Sequence, residues 1–516
     1  MDDDLAGDLD RISALPDDLL HLILARVDNM VTVTRTAVLS RRWRHVWVHA
    51  KSLKFKARDL GEEKLTVPGY FAGFVDWVLA RRGDAGTESI QIHFAGKSSA
   101  SPEQVNQWLR YAGRRVVKSL NLDIPLRESL TDLEAVVEFP SHCRAESIWL
   151  SLSKKHILRL PSSAAATYEA LTQLCLFSAR FAGEGRTLGD LVTSCCPRLR
   201  KLSIIGPVGL PQLVLRAEEL QTLSIDGAWD LRTLDVTAPS LRSVKLGHSF
   251  HNPLSFGADD DDAMSKVARI MAPRLEEISM RNFNRRPVLD IHGLSSVRRL
   301  KGLFLDMHGK YYRNVDVGLW LLENCPGVEH VDVWLHDGIA ADGELIDLTS
   351  EGARPFASVR SMIVGTDGKH IVAAHEVPLF EIVALAHRQH LLGQGQPSFY
   401  CAGVLEYGNL DKWKFDRKIA LESLEDVVIT RFTGAVEELN LVRLLFESSN
   451  SIKRMALRPP QIKLGAVLKA KEDDDSDDTK MIYLELIKIP CADRGNWHVE
   501  EKMFTWTCYI TESEHY

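Results

Sequence analysis

The 516-residue chain lacks the features that define several large protein classes. No run of about 18 apolar residues occurs, the length a helix needs to cross a bilayer. Met1-Asp2-Asp3-Asp4-Leu5 supplies neither the basic nor the apolar region of a secretory leader, so neither membrane insertion nor secretion is expected. Positive charge is not in excess: the net charge of −7 gives no electrostatic case for nucleic acid as the main partner. The eight cysteines are Cys143, Cys175, Cys195, Cys196, Cys325, Cys401, Cys491 and Cys508, without CxxC spacing. They read as reduced core residues in a cytoplasmic or nuclear compartment.

Catalytic signatures are also missing. Gly365-Thr-Asp-Gly368-Lys369-His370 lacks the spacing and the Ser or Thr after lysine with which a Walker loop holds phosphate and magnesium, and reads as a turn. His387 and His390 stand at i and i+3 of an expected helix, but no third ligand or glutamate accompanies them. Cys195-Cys196 before Pro197 suits a helix end packed on a neighbour, and no nucleophile elbow is found. The expectation is a chain with no catalytic residues, no metal site and no cofactor.

What is present begins at Leu15, with LPDDLLHLILARVDNMVTVTRTAVLSRRWRHVW running to Trp47. Pro16 suits a first helical position, and Asp17 and Asp18 follow where a helix N-terminus favours negative charge. Leu19, Leu20, Ile23, Leu24 and Val27 form a broad apolar stripe that Asp28 and Asn29 end. A Thr-rich helical segment through Ala37 and Val38 leads to Ser40, the expected N-cap of a third helix bearing Trp43, Val46 and Trp47. Three short helices in about forty residues cannot bury all of this, so a partner surface is expected to cover the surplus. Burying some six leucine-class side chains contributes about 9 to 18 kcal/mol gross, against an association cost of about 4 to 15 kcal/mol.

Behind it, a helix over 70–82 and a strand over 89–94 are followed by a second pair, opened by Ser101-Pro102-Glu103 and closed by Val117-Lys-Ser-Leu120-Asn-Leu122. That last hexamer, apolar-x-x-apolar-x-apolar, recurs strictly from Leu199, Leu220, Leu231, Leu241, Leu275 and Val328, and loosely from Leu171, Val359, Leu424 and Ile452. One strand and one helix per unit cannot bury their apolar faces alone, so neighbours stack. Two acidic runs, Asp259 to Asp262 and the KEDDDSDD of 471–478, read as solvated loops. Met481 to Ile487 and Met503 to Trp506 alternate as strands do.

The front segment resembles the F-box, the helical module that docks substrate adaptors onto the Skp-family linker of a cullin ubiquitin ligase. Leu15-Pro16, the Leu-Leu and Ile-Leu pairs and Val38-Leu39-Ser40-Arg41-Arg42-Trp43-Arg44 carry the likeness, while the Thr32, Thr34, Thr36 alternation weakens the middle helix. The repeats resemble the leucine-rich repeats of plant F-box proteins, and Leu424 to Met455 resembles their FBD region.

The resemblance implies an α/β chain: a three-helix F-box at 9–50, an irregular leucine-rich-repeat solenoid with a curved parallel sheet and outer helices at 51–420, an FBD-like region at 421–460, and an extension at 461–516. It further implies a non-catalytic adaptor that binds the Skp linker, through it a cullin, and an unknown target protein. The rival is a ligase-independent repeat scaffold. By motif position and helical face, the implied linker-binding residues are Leu15, Pro16, Leu19, Leu20, Ile23, Leu24, Val38, Leu39, Ser40, Trp43 and Trp47. Trp43 and Trp47 suit the module's core equally well.

Overall fold

Alternation of apolar and polar residues in the hexamers turns every second side chain inward, and the structure builds parallel strands from them. The computed structural model describes residues 15–250, 266–306, 317–336, 358–366, 423–459, 475–489 and 494–509, with short interruptions inside these stretches. They divide into two units, 1–273 with 287–292, and 274–286 with 293–516.

The first unit opens with α1 (Asp17–Arg26), α2 (Met30–Arg35), a 3-10 turn (Thr36–Val38), α3 (Trp43–Val46) and a second 3-10 turn (Trp47–His49). Next come β1 (Ser52–Lys56), α4 (Tyr70–Arg82), β2 (Thr87–His93), α5 (Pro102–Arg115) and β3 (Val116–Asp123). α5 begins as its sequence predicts: Ser101 and Gln104 form a reciprocal capping box with proline at the first turn. The chain continues through β4 (Ala135–Glu138), β5 (Ser147–Ser151), β6 (His156–Arg159), β7 (Gln173–Phe177), β8 (Arg180–Phe181), α6 (Leu188–Cys195) and β9 (Lys201–Ile205). β10 (Gln212–Arg216), β11 (Thr222–Asp226), β12 (Thr233–Thr237), β13 (Ser243–Gly247) and β14 (Val267–Met271) come after it. β15 (Glu277–Arg281) belongs to the second unit and β16 (Val288–His292) to the first.

The first unit's main sheet is parallel in the order β1-β2-β3-β5-β7-β9-β11-β13. Register aligns the hexamer leucines: Leu120, Ile148, Leu174, Leu202, Leu223 and Val244 stand side by side and are all buried.

The return limbs differ from the expected outer helices. α4, α5 and α6 are helical, but elsewhere the chain returns through two further parallel sheets, β4-β6-β8 and β10-β12-β14-β16. The Leu231 hexamer therefore lies in a return strand, β12, and not in the main sheet. Spacing explains this: Leu199, Leu220 and Leu241 are 21 residues apart, which leaves too few for a strand, two turns and a helix. Both limbs pack leucines inward, so both spell the same pattern.

The second unit adds β17 (Arg299–Asp306), α7 (Val317–Asn324), β18 (His330–His336), β19 (Ser361–Thr366), β20 (Asp426–Thr430), β21 (Arg454–Arg458), α8 (Asp475–Leu486), β22 (Gly495–Glu500) and β23 (Met503–Cys508). Its sheet runs β15-β17-β18-β19-β20-β21-β23-β22, parallel until the antiparallel β23 and β22. β23 is the strand expected at Met503, with Phe504 and Trp506 buried and Trp506 edge-on to Phe446 at 4.6 Å.

Of Met481 to Ile487, expected as a strand, Met481 to Leu486 form the C-terminal half of α8, and Ile487 follows in a turn. Asp475, Asp477 and Asp478 lie near its N-terminus, where the helix dipole favours negative charge, so the second half of KEDDDSDD is helical rather than loop. The inward side chains are four apart: Leu486 is buried, and Ile482 fills the space a Cβ on Gly434 would need, at a position whose φ of 84° already favours glycine.

Lys471 to Asp474, Asp259 to Asp262, Asp367 to Ala420, which includes His387, His390 and Cys401, and Cys491 lie outside the described residues.

Candidate partner-docking surface

Local chemistry sets the three N-terminal helices. Pro16 proves to be the residue before α1 rather than its first, and its carbonyl accepts the N–H groups of Leu19 and Leu20. Asn29 both ends the first segment and caps the next: its Oδ1 accepts the Thr32 N–H at 2.7 Å. Thr34 and Thr36 turn their hydroxyls back to carbonyls of the preceding turn, at 2.9 Å on Met30 and 2.7 Å on Val33. The Ser40 hydroxyl accepts the Trp43 N–H at 3.4 Å, and Arg42 Nε donates to Asp17 Oδ1 at 2.7 Å.

The inside of the module is Leu20, Leu24, Met30, Val33, Trp43, Val46 and Trp47, all buried. Four of the implied linker-binding residues, Leu20, Leu24, Trp43 and Trp47, are among these buried side chains. Leu20 and Leu24, one turn apart on α1, face inward, and Trp47 stacks on Trp77 of α4. Leu15 and Ser40 are half-buried and Pro16 is exposed.

The outward apolar set is Leu19 (43% exposed), Leu22 (61%), Ile23 (43%), Val38 (83%) and Leu39 (64%). Leu19, Leu22 and Ile23 share one face of α1 at i, i+3 and i+4, while Val38 and Leu39 crown the turn after α2. Both elements pack on α3. Sequence reading missed Leu22, although its place three residues after Leu19 is the available signal. Single exposed leucines are ordinary on protein surfaces; five large apolar side chains on one module of about forty residues are not.

The module is fastened to β1 and α4. Asp28 takes Lys54 at 2.9 Å and also Lys56, both from β1, and these ammonium groups hold its carboxyl down at about 2. Arg82, buried at the end of α4, donates to the Val48 carbonyl, to the Gly86 carbonyl at 3.1 Å and to Thr87 Oγ1 at 3.3 Å.

Burial pushes the Cys196 and Cys325 thiols up to about 12, away from the thiolate a reactive cysteine needs. Among the described residues no group of three or more His, Cys, Asp or Glu is placed to hold a metal. No described helix is long and apolar enough to cross a membrane.

Comparison with known families matches residues 12–55 to the F-box domain and residues 78–280 to the leucine-rich-repeat domain of At1g61320/AtMIF1. The putative FBD-associated F-box protein At5g50270 of Arabidopsis thaliana is 26% identical over 274 residues, 48% of this chain and 65% of that protein. The F-box/LRR-repeat protein At3g03360 of the same plant is 28% identical over 251 residues, 47% of this chain and 48% of that protein. The matched stretch thus spans about half to two thirds of these relatives' length. The chain thus carries an F-box domain and, behind it, a leucine-rich-repeat region, and it is similar to F-box/LRR-repeat and FBD-associated F-box proteins of Arabidopsis thaliana.

Proposed function

We propose that this protein is a substrate-recruiting adaptor of a Skp–cullin–F-box ubiquitin ligase, acting in the cytoplasm or nucleus. Leu19, Leu22, Ile23, Val38 and Leu39 dock on the Skp-family linker, with Leu15, Pro16 and Ser40 at the rim of the contact. Leu20, Leu24, Trp43 and Trp47 support that surface from inside. The repeat region, taken as 51–420, holds the target protein, and the FBD-like segment at 421–460 with the extension at 461–516 closes the array. The contribution is positioning: bringing a target to the charged enzyme raises effective concentration without side-chain chemistry from the adaptor.

The observation that carries this reading is the exposed apolar set on a module whose interior is already filled. Covering five such side chains contributes about 1 to 2 kcal/mol each, enough to compete with the association cost. Affinity purification of the full chain tests it. The adaptor reading expects the Skp-family linker and a cullin to co-purify with wild type and both to be lost with Leu22→Asp and Val38→Asp. A chain that folds and recruits neither is the ligase-independent scaffold instead.

A further inference from the structure

The open face of the first unit's main sheet is polar along most of its width, with Ser119, Ser147, Thr222 and Ser243 standing in one row. The row two residues from the strands' C-terminal ends differs at its centre. There Trp149 stands between Asn121 and Cys175. Its ring tilts against Phe177 of the next row, with centroids 5.0 Å apart and planes at 52°. The last row crosses the sheet as Asp123, Ser151, Phe177, Ile205 and Asp226. Trp149, Phe177 and Ile205 are half-buried, although their neighbours along each strand already fill the core on the other side.

Both ends of this row carry a carboxylate beside an imidazole. Asp123 Oδ2 lies 3.8 Å from His93 Nδ1, and Asp226 Oδ1 lies 3.0 Å from His248 Nδ1. His248 holds φ at 44°, a backbone region that non-glycine residues seldom enter. Lys56 stands in this row two strands before Asp123, where it is paired with Asp28, while Lys201 lies at the opposite end of β9 and Lys245 one strand beyond Asp226 in the neighbouring row. An apolar centre is thus bracketed by two acidic ends.

The geometry points to this row as a docking lane for an extended segment of the recruited protein in which two basic side chains bracket an apolar one. The assignment rests on the adaptor reading of the repeat region and adds the chemistry of its target. Four strand spacings of about 4.8 Å separate Asp123 from Asp226, about 19 Å in all. An extended chain advances about 3.3 Å per residue, so arginines or lysines about six positions apart reach both carboxylates. Side chains of an extended chain alternate between faces, so an aromatic or branched aliphatic residue two or four positions after the first basic one faces the sheet and falls on Trp149, Phe177 and Ile205. Guanidinium suits the ends best, because it pairs with carboxylates in a planar, two-pronged fashion.

The test is selection from a displayed library of random twelve-residue peptides on the full-length chain, with the Asp123→Asn/Asp226→Asn double variant carried in parallel. Enrichment of sequences with two basic residues five to seven positions apart around an apolar residue is expected. Synthetic copies should bind the double variant at least tenfold more weakly, and Trp149→Ser should remove the preference at the apolar position alone. Enrichment of acidic or uncharged sequences, equal binding to the double variant, or no enrichment overturns the lane. Linker co-purification with the same proteins separates the two readings. Linker binding without a basic–apolar–basic consensus defeats the lane alone, and that consensus without linker binding defeats the adaptor reading alone.

Discussion

The indole of Trp47 stacks on the indole of Trp77, with ring centroids 5.6 Å apart and planes at 21°. Trp47 lies in the 3-10 turn that closes the F-box, and Trp77 sits midway along α4. The two segments therefore share packing rather than meeting through a free linker.

That stack makes unequal demands on its members. Trp47 is 2% exposed and Trp77 47% exposed. Trp47→Ala should destabilise the first unit by about 3 to 5 kcal/mol, the range for deleting a buried aromatic, and Trp77→Ala by well under half of that. Denaturant unfolding followed by tryptophan fluorescence of each variant distinguishes them.

Arg82 joins the same junction by a different means. Its guanidinium donates to the Val48 and Gly86 carbonyls and to Thr87 Oγ1, and burial lowers its affinity for a proton. Arg82→Met should leave these acceptors short of a donor and cost about 2 to 3 kcal/mol. Lysine should rescue little, since one ammonium cannot span acceptors that a planar fork reaches. Hydrogen exchange should show the amides of 43–50 opening first.

Asp28 supplies a pH signature. Lys56 and Lys54 hold its carboxyl at about 2, below the ordinary aspartate value. The folded state thus binds the proton less tightly than the unfolded one. The stabilisation is fully present above the ordinary aspartate range and disappears as pH falls toward about 2. The stability difference between wild type and Asp28→Asn should be constant from pH 5 to 7 and shrink below pH 4. Acid unfolding curves of both proteins check this.

Gly189 in the first turn of α6 has no room for a Cβ, which would strike the Val214 carbonyl of β10. Gly189→Ala should lower stability by about 1 to 3 kcal/mol through overpacking, although alanine favours a helix. Thermal unfolding gives the sign directly.

Much of this architecture is legible in the sequence because one period governs it. The hexamers from Val117, Leu199, Leu220 and Leu241 become β3, β9, β11 and β13, and Ser101-Pro102 starts α5 where its chemistry says. The hexamer at Leu231 shows the limit, since main and return strands bury leucine alternately against the same core. Met481 to Ile487 shows another: alternation over a few residues fits a strand or the flank of a helix, and the aspartates before it decide. In the F-box, motif position identifies the module but not which leucines face outward. That depends on which side of α1 meets α3, so Leu20 and Leu24 turn in while Leu22 stays out.

The central claim is that the apolar residues left outside the F-box bind a Skp-family linker. Calorimetric titration of purified linker into the full-length chain tests it most directly, using wild type, Leu22→Asp and Val38→Asp. The account predicts a wild-type Kd of about 1 μM or tighter, weakened at least tenfold by either substitution with unfolding curves unchanged. Wild-type affinity in both variants, or no heat of binding from the wild-type chain, contradicts it.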